Sequence, residues 1–223
     1  MDGRVKAVLF DVDGTLVDSN DAHADAWVTA FTEHGVLVDP VSVRQSIGMG
    51  GDKLMPAVSR IEEDSPLGRK IAERRGKIFA LRFLPRLTAF RDAQRLVATL
   101  VARGLTVVAA SSAKREELEP LLDVAGAKTL LDAWTSSDDA ESSNPDPDII
   151  QAALRRAKVS AADAVMVGDT PYDVAAARSA GVRVIAFRCG GWLDVDLVGA
   201  LEIYNGPWDV LARLAQSVLF ANP

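Results

Sequence analysis

The feature that most constrains the fold is a series of short apolar runs that recur along the chain, with helical patterns between them. The runs occupy residues 5–10, 105–110, 133–136, 164–167 and 182–187, with a weaker one at 200–204. They are rich in β-branched residues and too short for buried helices, so we expect strands. Helical patterns occupy residues 92–103, 115–125, 148–157 and 172–180. This alternation predicts an α/β fold of three layers, with helices covering both faces of a parallel sheet.

The segment from residue 17 to residue 86 departs from this alternation. It is rich in helical patterns and has no convincing strand, and residues 22–34 carry an apolar stripe of helical period. A glycine-rich turn follows at residues 48–51. We therefore expect two domains, a core formed by residues 1–16 and 87–223 and an inserted helical cap formed by residues 17–86.

Composition describes an ordinary globular protein and narrows its partners. Of 223 residues, 48% are hydrophobic and 25% are charged, and the net charge is −6. A chain of this length can bury a large core. Its acidic balance argues against nucleic acid, which is bound by clustered Lys and Arg. Cys189 is the only cysteine, which excludes an internal disulfide and favours a small buried side chain over a catalytic thiol.

The location of the protein is also an expectation from the sequence. The first residues lack the charged-then-apolar pattern of a secretory leader. No stretch approaches the length needed to span a bilayer. We therefore expect a cytoplasmic protein without membrane contact, as a monomer or a homodimer.

Polar residues follow three of the predicted strands at the point where each strand ends. These residues are Asp11, Asp13, Ser111, Ser112, Asp169 and Asp173. Ligands of such sheets bind at the carboxyl ends of the strands, and three such turns exceed ordinary turn chemistry. Carboxylates gathered in one crevice repel each other unless a hard cation lies among them, and oxygen ligands suit Mg²⁺. The pattern predicts a Mg²⁺ site for phosphoryl groups, where a carboxylate can attack phosphorus.

With these residues the sequence resembles the haloacid dehalogenase superfamily, in the branch with a small helical cap that includes phosphoglycolate phosphatases and β-phosphoglucomutases. Residues 10–16 (FDVDGTL) match the first motif, Ser111 the second and residues 168–173 (GDTPYD) the fourth. Similar strings recur at residues 47–51 and 145–148, so the resemblance covers nearly the whole chain. It implies a Rossmann-like core, Mg²⁺ as cofactor and a small phosphorylated metabolite as substrate.

The resemblance also implies a role for each matching residue. Asp11 would be the nucleophile that forms an aspartyl phosphate, and Asp13 would be the general acid and base. The metal ligands would be Asp11, Asp13, Asp169 and Asp173. The transferring phosphoryl group would be held by Ser111, Ser112 and Asn144. For Ser112 and Asp173, a helix-cap role is an alternative.

One position departs from the pattern of the family. The third motif places a lysine before Pro-x-Pro-Asp, and here that position is Asn144. Asparagine donates a hydrogen bond but carries no charge, and losing one preorganised donor at a developing oxyanion costs about 2.7–4 kcal/mol. Three interpretations follow. Lys114 or the cap residue Lys53 supplies the charge, the protein is a slow phosphatase, or it has become a binding or regulatory protein.

Substrate choice is expected in the cap, which would close over the core and exclude water. Candidate residues are Gly50 and Lys53 in the loop at residues 48–53 and His23 in the first cap helix. The alternatives are a simple connection between helices and a helical histidine without a role in the site. The basic run at residues 69–77 is interpreted as a solvated helix face, and Trp27 as part of the cap core.

The acid at position 13 discriminates among the reactions of this family. Carbon–halogen cleavage and phosphonate cleavage both depart from the pattern at this position, so Asp13 favours phosphoryl transfer. A phosphosugar mutase shares Asp11 and Asp13 and remains an alternative, although a basic loop for a sugar bisphosphate is not evident. The leading hypothesis is a phosphatase acting on a small ester such as phosphoglycolate or a sugar phosphate.

Overall fold

A computed structural model describes residues 5–220 and contains a six-stranded parallel sheet. The strands are β1 (Ala7–Phe10), β2 (Thr106–Ala110), β3 (Ala133–Thr135), β4 (Ala164–Gly168), β5 (Arg183–Phe187) and β6 (Glu202–Tyr204). Their spatial order is β3-β2-β1-β4-β5-β6. All six predicted strands are confirmed, and each boundary lies within two residues of its expected position. Residues 1–4 and 221–223 of the predicted core lie outside the described part of the chain.

Helices connect the strands and also form a long excursion after β1. Between β1 and β2 lie α1 (Asn20–Glu33), α2 (Pro40–Gln45), α3 (Gly51–Ser59), α4 (Pro66–Ile78), a π-helical turn (Phe79–Phe83) and α5 (Ala93–Ala102). The later helices are α6 (Arg115–Val124), α7 (Asp148–Ala157), α8 (Pro171–Ser179) and α9 (Pro207–Ala212). We call residues 20–86 the helical insertion. The four predicted core helices are confirmed as α5 to α8.

The two faces of the sheet carry separate hydrophobic clusters, which is why its strands are buried on both sides. Val8 and Phe10 of β1 belong to the cluster that includes α5, α6 and α9. Ala7 and Leu9 belong to the cluster that includes α7 and α8. Because successive side chains of a strand point to opposite faces, the chain forms the expected three layers of helix, sheet and helix.

The helical insertion leaves the core and returns to it at one place. Val17 forms an antiparallel bridge with Ala89, and the Phe90 N–H donates to the Leu16 carbonyl at 2.9 Å. The cluster on the Phe10 face also includes Phe31 of α1. The insertion therefore joins the core next to the end of β1 and shares a hydrophobic cluster with it, and the division into two domains stays a prediction.

Within residues 5–220, every helix is either too short or too polar to cross a bilayer.

Candidate active site

The predicted site residues meet because their strands are neighbours. Asp11 follows β1, Ser111 follows β2 and Asp169 follows β4, and β1 lies between the other two strands. The Asp11 N–H donates to the Val167 carbonyl at 2.9 Å, which extends the β1–β4 pairing up to the site. The carboxyl edge of the sheet thus gathers residues that are far apart in sequence.

Three of the four predicted metal ligands form one compact group. Asp11, Asp169 and Asp173 each present a carboxylate oxygen within 4.8 Å of the others. All three are buried, with exposed fractions of 8%, 0% and 1%. Asp169 is held on both oxygens, by the Thr15 hydroxyl and by the Asn20 amide, each at 2.8 Å.

Asp173 is oriented by contacts on both of its oxygens. Its Oδ2 accepts from the Thr170 hydroxyl at 2.7 Å and from the Thr170 N–H at 3.0 Å, in a capping box at the start of α8. Its Oδ1 accepts from the Asn144 side chain at 2.9 Å. The helix-cap role of Asp173 is therefore present, and it places the carboxylate in the acidic group. Asn144 therefore contacts Asp173. Within the described residues, it does not line the cavity that opens beside Asp11 and Asp13.

Two glycines allow the backbone to approach Asp169 closely. A Cβ at Gly190 would lie 1.7 Å from Asp169 Oδ2, and a Cβ at Gly14 would lie 2.3 Å from the same atom. Gly14 also has φ +77°, a left-handed conformation that favours glycine. The loops after β1 and β5 therefore enclose the carboxylate, and any side chain at either position would displace it.

The electrostatics of this group favour a bound cation. Burial raises the pKa of Asp11 well above its ordinary value, and the charges of Asp173, Asp169 and Asp13 raise it further. Burial and the charge of Asp173 likewise raise the pKa of Asp169. Carboxylates in this condition resist ionising together unless a positive charge lies among them.

Asp13 stands in a different environment, although it lies only two positions after Asp11. Its Oδ1 accepts from the Ser19 hydroxyl at 2.5 Å and from His23 Nε2 at 2.7 Å. Burial acts to raise the pKa of Asp13, but His23, Ser19 and Arg75 together lower it. Both donors reach Oδ1, so Oδ2 of Asp13 receives no hydrogen bond from any residue between 5 and 220.

A chain of contacts from the helical insertion sets the orientation of His23. Arg75 of α4 bonds to His23 Nδ1 and pairs with Glu117 of α6. Because arginine can only donate, His23 Nδ1 accepts a hydrogen bond from Arg75. His23 Nε2 therefore carries the proton and donates a hydrogen bond to Asp13. The imidazole also stacks on Phe79, with ring centroids 4.0 Å apart. His23 therefore reaches the site. This was one of the two alternatives predicted for it, the other being a helical histidine without a role there.

A cavity of about 600 Å³ opens beside these groups. Asp11, Asp13, Ser111 and Ser112 line it on the core side, together with residues of α1, α3 and α4. Ser111 Oγ accepts from the Ala113 N–H at 3.0 Å, which leaves its own proton to donate. The Ser112 hydroxyl has no partner within the described residues. Both hydroxyls are thus available to an anion in the cavity.

The structure separates the cap residues that were expected to determine specificity. Gly50 lines the cavity, and its N–H donates to Ser143 Oγ at 3.1 Å. Lys53 pairs with Asp146 at 2.9 Å, and the cavity lining found in residues 5–220 does not include it. Lys114 lines the cavity but is exposed. Of the two lysines expected to replace the missing charge, only Lys114 faces the site.

Sequence reasoning missed Arg75, the basic residue that contacts His23. The interpretation of the basic run as a solvated face is wrong for Arg75, whose side chain is 14% exposed. A signal was present, because Arg75 is four residues after Ile71 and four before Phe79, and both of these are fully buried. This spacing places Arg75 on the buried side of the helix. Thr15, Ser19 and Asn20 were also missed as partners of the carboxylates.

Comparison with known proteins agrees with this geometry. The family model described as haloacid dehalogenase-like hydrolase matches residues 5–181. A phosphoglycolate phosphatase of Rhodospirillum rubrum is 31% identical over 212 residues, which cover 90% of this chain and 87% of that protein. Validoxylamine A 7'-phosphate phosphatase of Streptomyces hygroscopicus subsp. limoneus is 29% identical over 180 residues, or 79% and 83% of the two chains.

Solved structures show the same fold. The crystal structure of a hydrolase from Pseudomonas syringae has a TM-score of 0.88 and 25% identity, and the match covers 95% of this chain and 98% of that one. The family model covers well over half of the sequence and includes Asp11, Asp13, Ser111, Asp169 and Asp173. The chain belongs to the haloacid dehalogenase-like hydrolases.

Proposed function

We propose that this hydrolase is a Mg²⁺-dependent phosphatase that cleaves small phosphate monoesters through an aspartyl phosphate on Asp11. The observation that carries the proposal is the contrast between two carboxylates of one loop. Asp11 lies in a buried acidic group that favours a cation, and Asp13 presents an unbonded oxygen in the part of the chain described, near the same cavity. Attack on phosphorus and proton transfer to the leaving group need these two different carboxylates.

The residues present fit Mg²⁺. The donors are the carboxylate oxygens of Asp11, Asp169 and Asp173, and hard oxygen ligands suit this ion. Thr15, Asn20 and Thr170 hold Asp169 and Asp173 in place through hydrogen bonds. When bound, Mg²⁺ supplies positive charge to the phosphoryl oxygens and lowers the repulsion between them and the carboxylates.

The first half of the reaction uses both aspartates. An Asp11 oxygen attacks phosphorus and forms a new oxygen–phosphorus bond as the ester bond to the leaving group breaks. Asp13 Oδ2 carries a proton in the reactive form of the site, although the neighbouring groups lower the pKa of Asp13, and it gives this proton to the leaving oxygen, so that an alcohol departs. Ser111 and Ser112 donate hydrogen bonds to the phosphoryl oxygens.

The second half returns the site to its starting state. Asp13 Oδ2 takes a proton from a water molecule, and the water oxygen attacks the phosphorus held on Asp11. The bond between phosphorus and Asp11 then breaks, which regenerates the Asp11 carboxylate and releases inorganic phosphate. His23 and Ser19 keep Asp13 in the same orientation through both halves.

A binding or regulatory role is the second candidate, and Asn144 favours it. Its amide holds Asp173 but adds no charge to the acidic group. The positive charge that the structure brings near the catalytic loop is Arg75, which acts on Asp13 through His23. Arg75 therefore replaces part of the missing charge, on the proton-transfer side of the site.

Phosphate release from a panel of small esters with Mg²⁺ tests the proposal. The native protein is compared with Asn144→Lys and with Asp11→Asn as the blank. We expect native turnover well above the blank, and loss of that turnover with EDTA. If native turnover equals the blank and Asn144→Lys is active, the native site is intact but lacks the charge needed for catalysis, and the binding or regulatory role is supported instead. Turnover that persists in Asp11→Asn would exclude the aspartyl phosphate.

A further inference from the structure

The cavity is larger than the smallest candidate substrates require. Its volume of about 600 Å³ is typical of sites for small molecules of ordinary size. The helical insertion supplies an apolar wall that includes Trp27, Ile47 and Met49. A two-carbon ester such as phosphoglycolate would leave most of this space to water. The dimensions suit a longer carbon skeleton attached to the phosphoryl group.

The basic side chains of the cavity are largely engaged with acidic ones. Arg75 pairs with Glu117, and Lys77 pairs with Glu73. Lys114, at the start of α6, lies near enough to Glu63 for its charge to counteract the effect of burial on the pKa of that carboxyl. Arg69 also lines the cavity and is solvent-exposed. A second anionic group on a substrate would have to compete with the protein's own carboxylates for these cations.

Glu63 is a carboxylate of the cavity wall that belongs to the helical insertion. It lies between α3 and α4 and lines the cavity. A Cβ on Gly51 would lie 3.1 Å from Glu63 Oε1, so the carboxylate lies directly against the glycine-rich turn. Its side chain forms no ion pair or hydrogen bond with any residue between 5 and 220. Burial raises the pKa of Glu63, and the charge of Asp52, another lining residue, adds to this effect.

We propose that Glu63 is a specificity-determining residue that selects phosphate monoesters with an uncharged, hydroxyl-rich leaving group and disfavours esters with a second anionic group. The inference deepens the proposed function and rests on it. A carboxylate accepts hydrogen bonds from hydroxyl groups, whereas a substrate carboxylate or second phosphate beside it leaves two like charges partly desolvated. Sugar and polyol phosphates are therefore favoured over phosphoglycolate and over sugar bisphosphates.

The test measures binding, so that it does not depend on turnover. Asp11→Asn with Mg²⁺ is titrated calorimetrically with sorbitol 6-phosphate and with 6-phosphogluconate. These two ligands share the chain of hydroxyl groups and differ in a terminal CH₂OH or carboxylate. We expect the dissociation constant for sorbitol 6-phosphate to be at least about tenfold lower, because juxtaposed like charges are strongly disfavoured.

The role of Glu63 is tested by Glu63→Gln in the same background, which keeps the shape and removes the charge. We expect the preference for sorbitol 6-phosphate to fall at least roughly threefold, because the like-charge penalty is removed. Glu62→Gln is the matched control. Glu62 is exposed and does not line the cavity found in residues 5–220, so the preference should remain unchanged.

Three outcomes overturn the inference. Equal or tighter binding of 6-phosphogluconate, no binding of either ligand, or an unchanged preference in Glu63→Gln each contradicts it. Failure of the proposed function gives a different result. If the native protein releases no phosphate from either ester while the order of affinities and the Glu63→Gln effect hold, the ligand class stands and the phosphatase proposal falls.

Discussion

Asp11 and Asp13 lie two residues apart in one loop, yet the protein surrounds them in opposite ways. Asp11 lies among the buried carboxylates of the core, and burial followed by the charges of its neighbours raises its pKa. Asp13 receives hydrogen bonds from Ser19 and His23, and the groups around it lower its pKa in spite of burial. Asp11 needs a bound cation to offset the negative charge around it, whereas His23 of the protein itself donates a hydrogen bond to Asp13.

The difference shows how the two parts of the chain divide the site. The core provides the acidic group through the ends of β1 and β4 and the first turn of α8, while the helical insertion reaches Asp13 through His23 and Arg75. Titratable groups whose environments push their pKa values apart are typical of acid–base pairs in enzymes. The insertion therefore orients Asp13 through these contacts as well as forming a wall of the cavity.

The largest expected effect comes from removing the charge of Asp11. We expect Asp11→Asn to lower phosphatase kcat by about 10⁴-fold or more, because nucleophile replacements have effects of this size. The same change removes one of several buried like charges, so the melting temperature without Mg²⁺ should rise by at least about 2 °C. Steady-state kinetics and thermal unfolding, with Mg²⁺ and with EDTA, measure both effects.

Asp18→Asn is the matched control for this substitution. Asp18 is an exposed acid in the same connection after β1, so both kcat and the melting temperature should stay close to native values. If Asp11→Asn destabilised the metal-free protein instead, the three carboxylates would not repel one another as the geometry requires. The contrast between Asp11 and Asp13 would then lose its electrostatic basis.

A smaller effect is expected on the Asp13 side. Arg75→Gln removes the contact that fixes His23, and we expect kcat for alkyl phosphates to fall roughly 10- to 100-fold, a part of the usual contribution of general acid–base catalysis. With p-nitrophenyl phosphate the fall should be much smaller, because nitrophenolate departs without a proton. Steady-state kinetics with both ester types measure the difference.

Arg74→Gln provides the control for Arg75. Arg74 is the preceding residue of the same helix and pairs with Glu33 on the surface, so its loss should leave both ester types unaffected. An equal fall for alkyl and nitrophenyl esters in Arg75→Gln would indicate a general structural defect. In that case Arg75 would not position the acid.

Much of the fold follows from local patterns in the sequence. The strand predictions were accurate because apolar runs of four to six residues end at a polar or charged residue or at Gly. The bounds of α7 match the predicted residues 148–157. The strand order, in which β1 lies between β2 and β4, depends on long-range pairing and does not follow from local patterns. The six residues of α9 are too few to show a helical pattern in the sequence.

The site was less completely predictable than the fold. Asp11, Asp169 and Asp173 come together as expected because Asp11 and Asp169 follow neighbouring strands and Asp173 lies in the first turn of α8. The direction of an amide or guanidinium group depends on packing, so the contact of Asn144 with Asp173 was not foreseen. The same holds for Arg75, whose charge suggested a surface position although its spacing from Ile71 and Phe79 indicated the buried face.

The smallest expected effect concerns Lys53, the residue of the helical insertion that the sequence suggests, beside Lys114 of the core, as a substitute for the missing lysine. Its ammonium pairs with Asp146, away from the part of the cavity that the described residues line. We expect Lys53→Ala to change kcat/KM by less than about twofold, because surface substitutions away from a site have small effects. Kinetics with the panel ester of highest turnover check this value. A tenfold loss would show that Lys53 leaves Asp146 for the substrate, and the insertion would then serve both carboxylates of the loop instead of Asp13 alone.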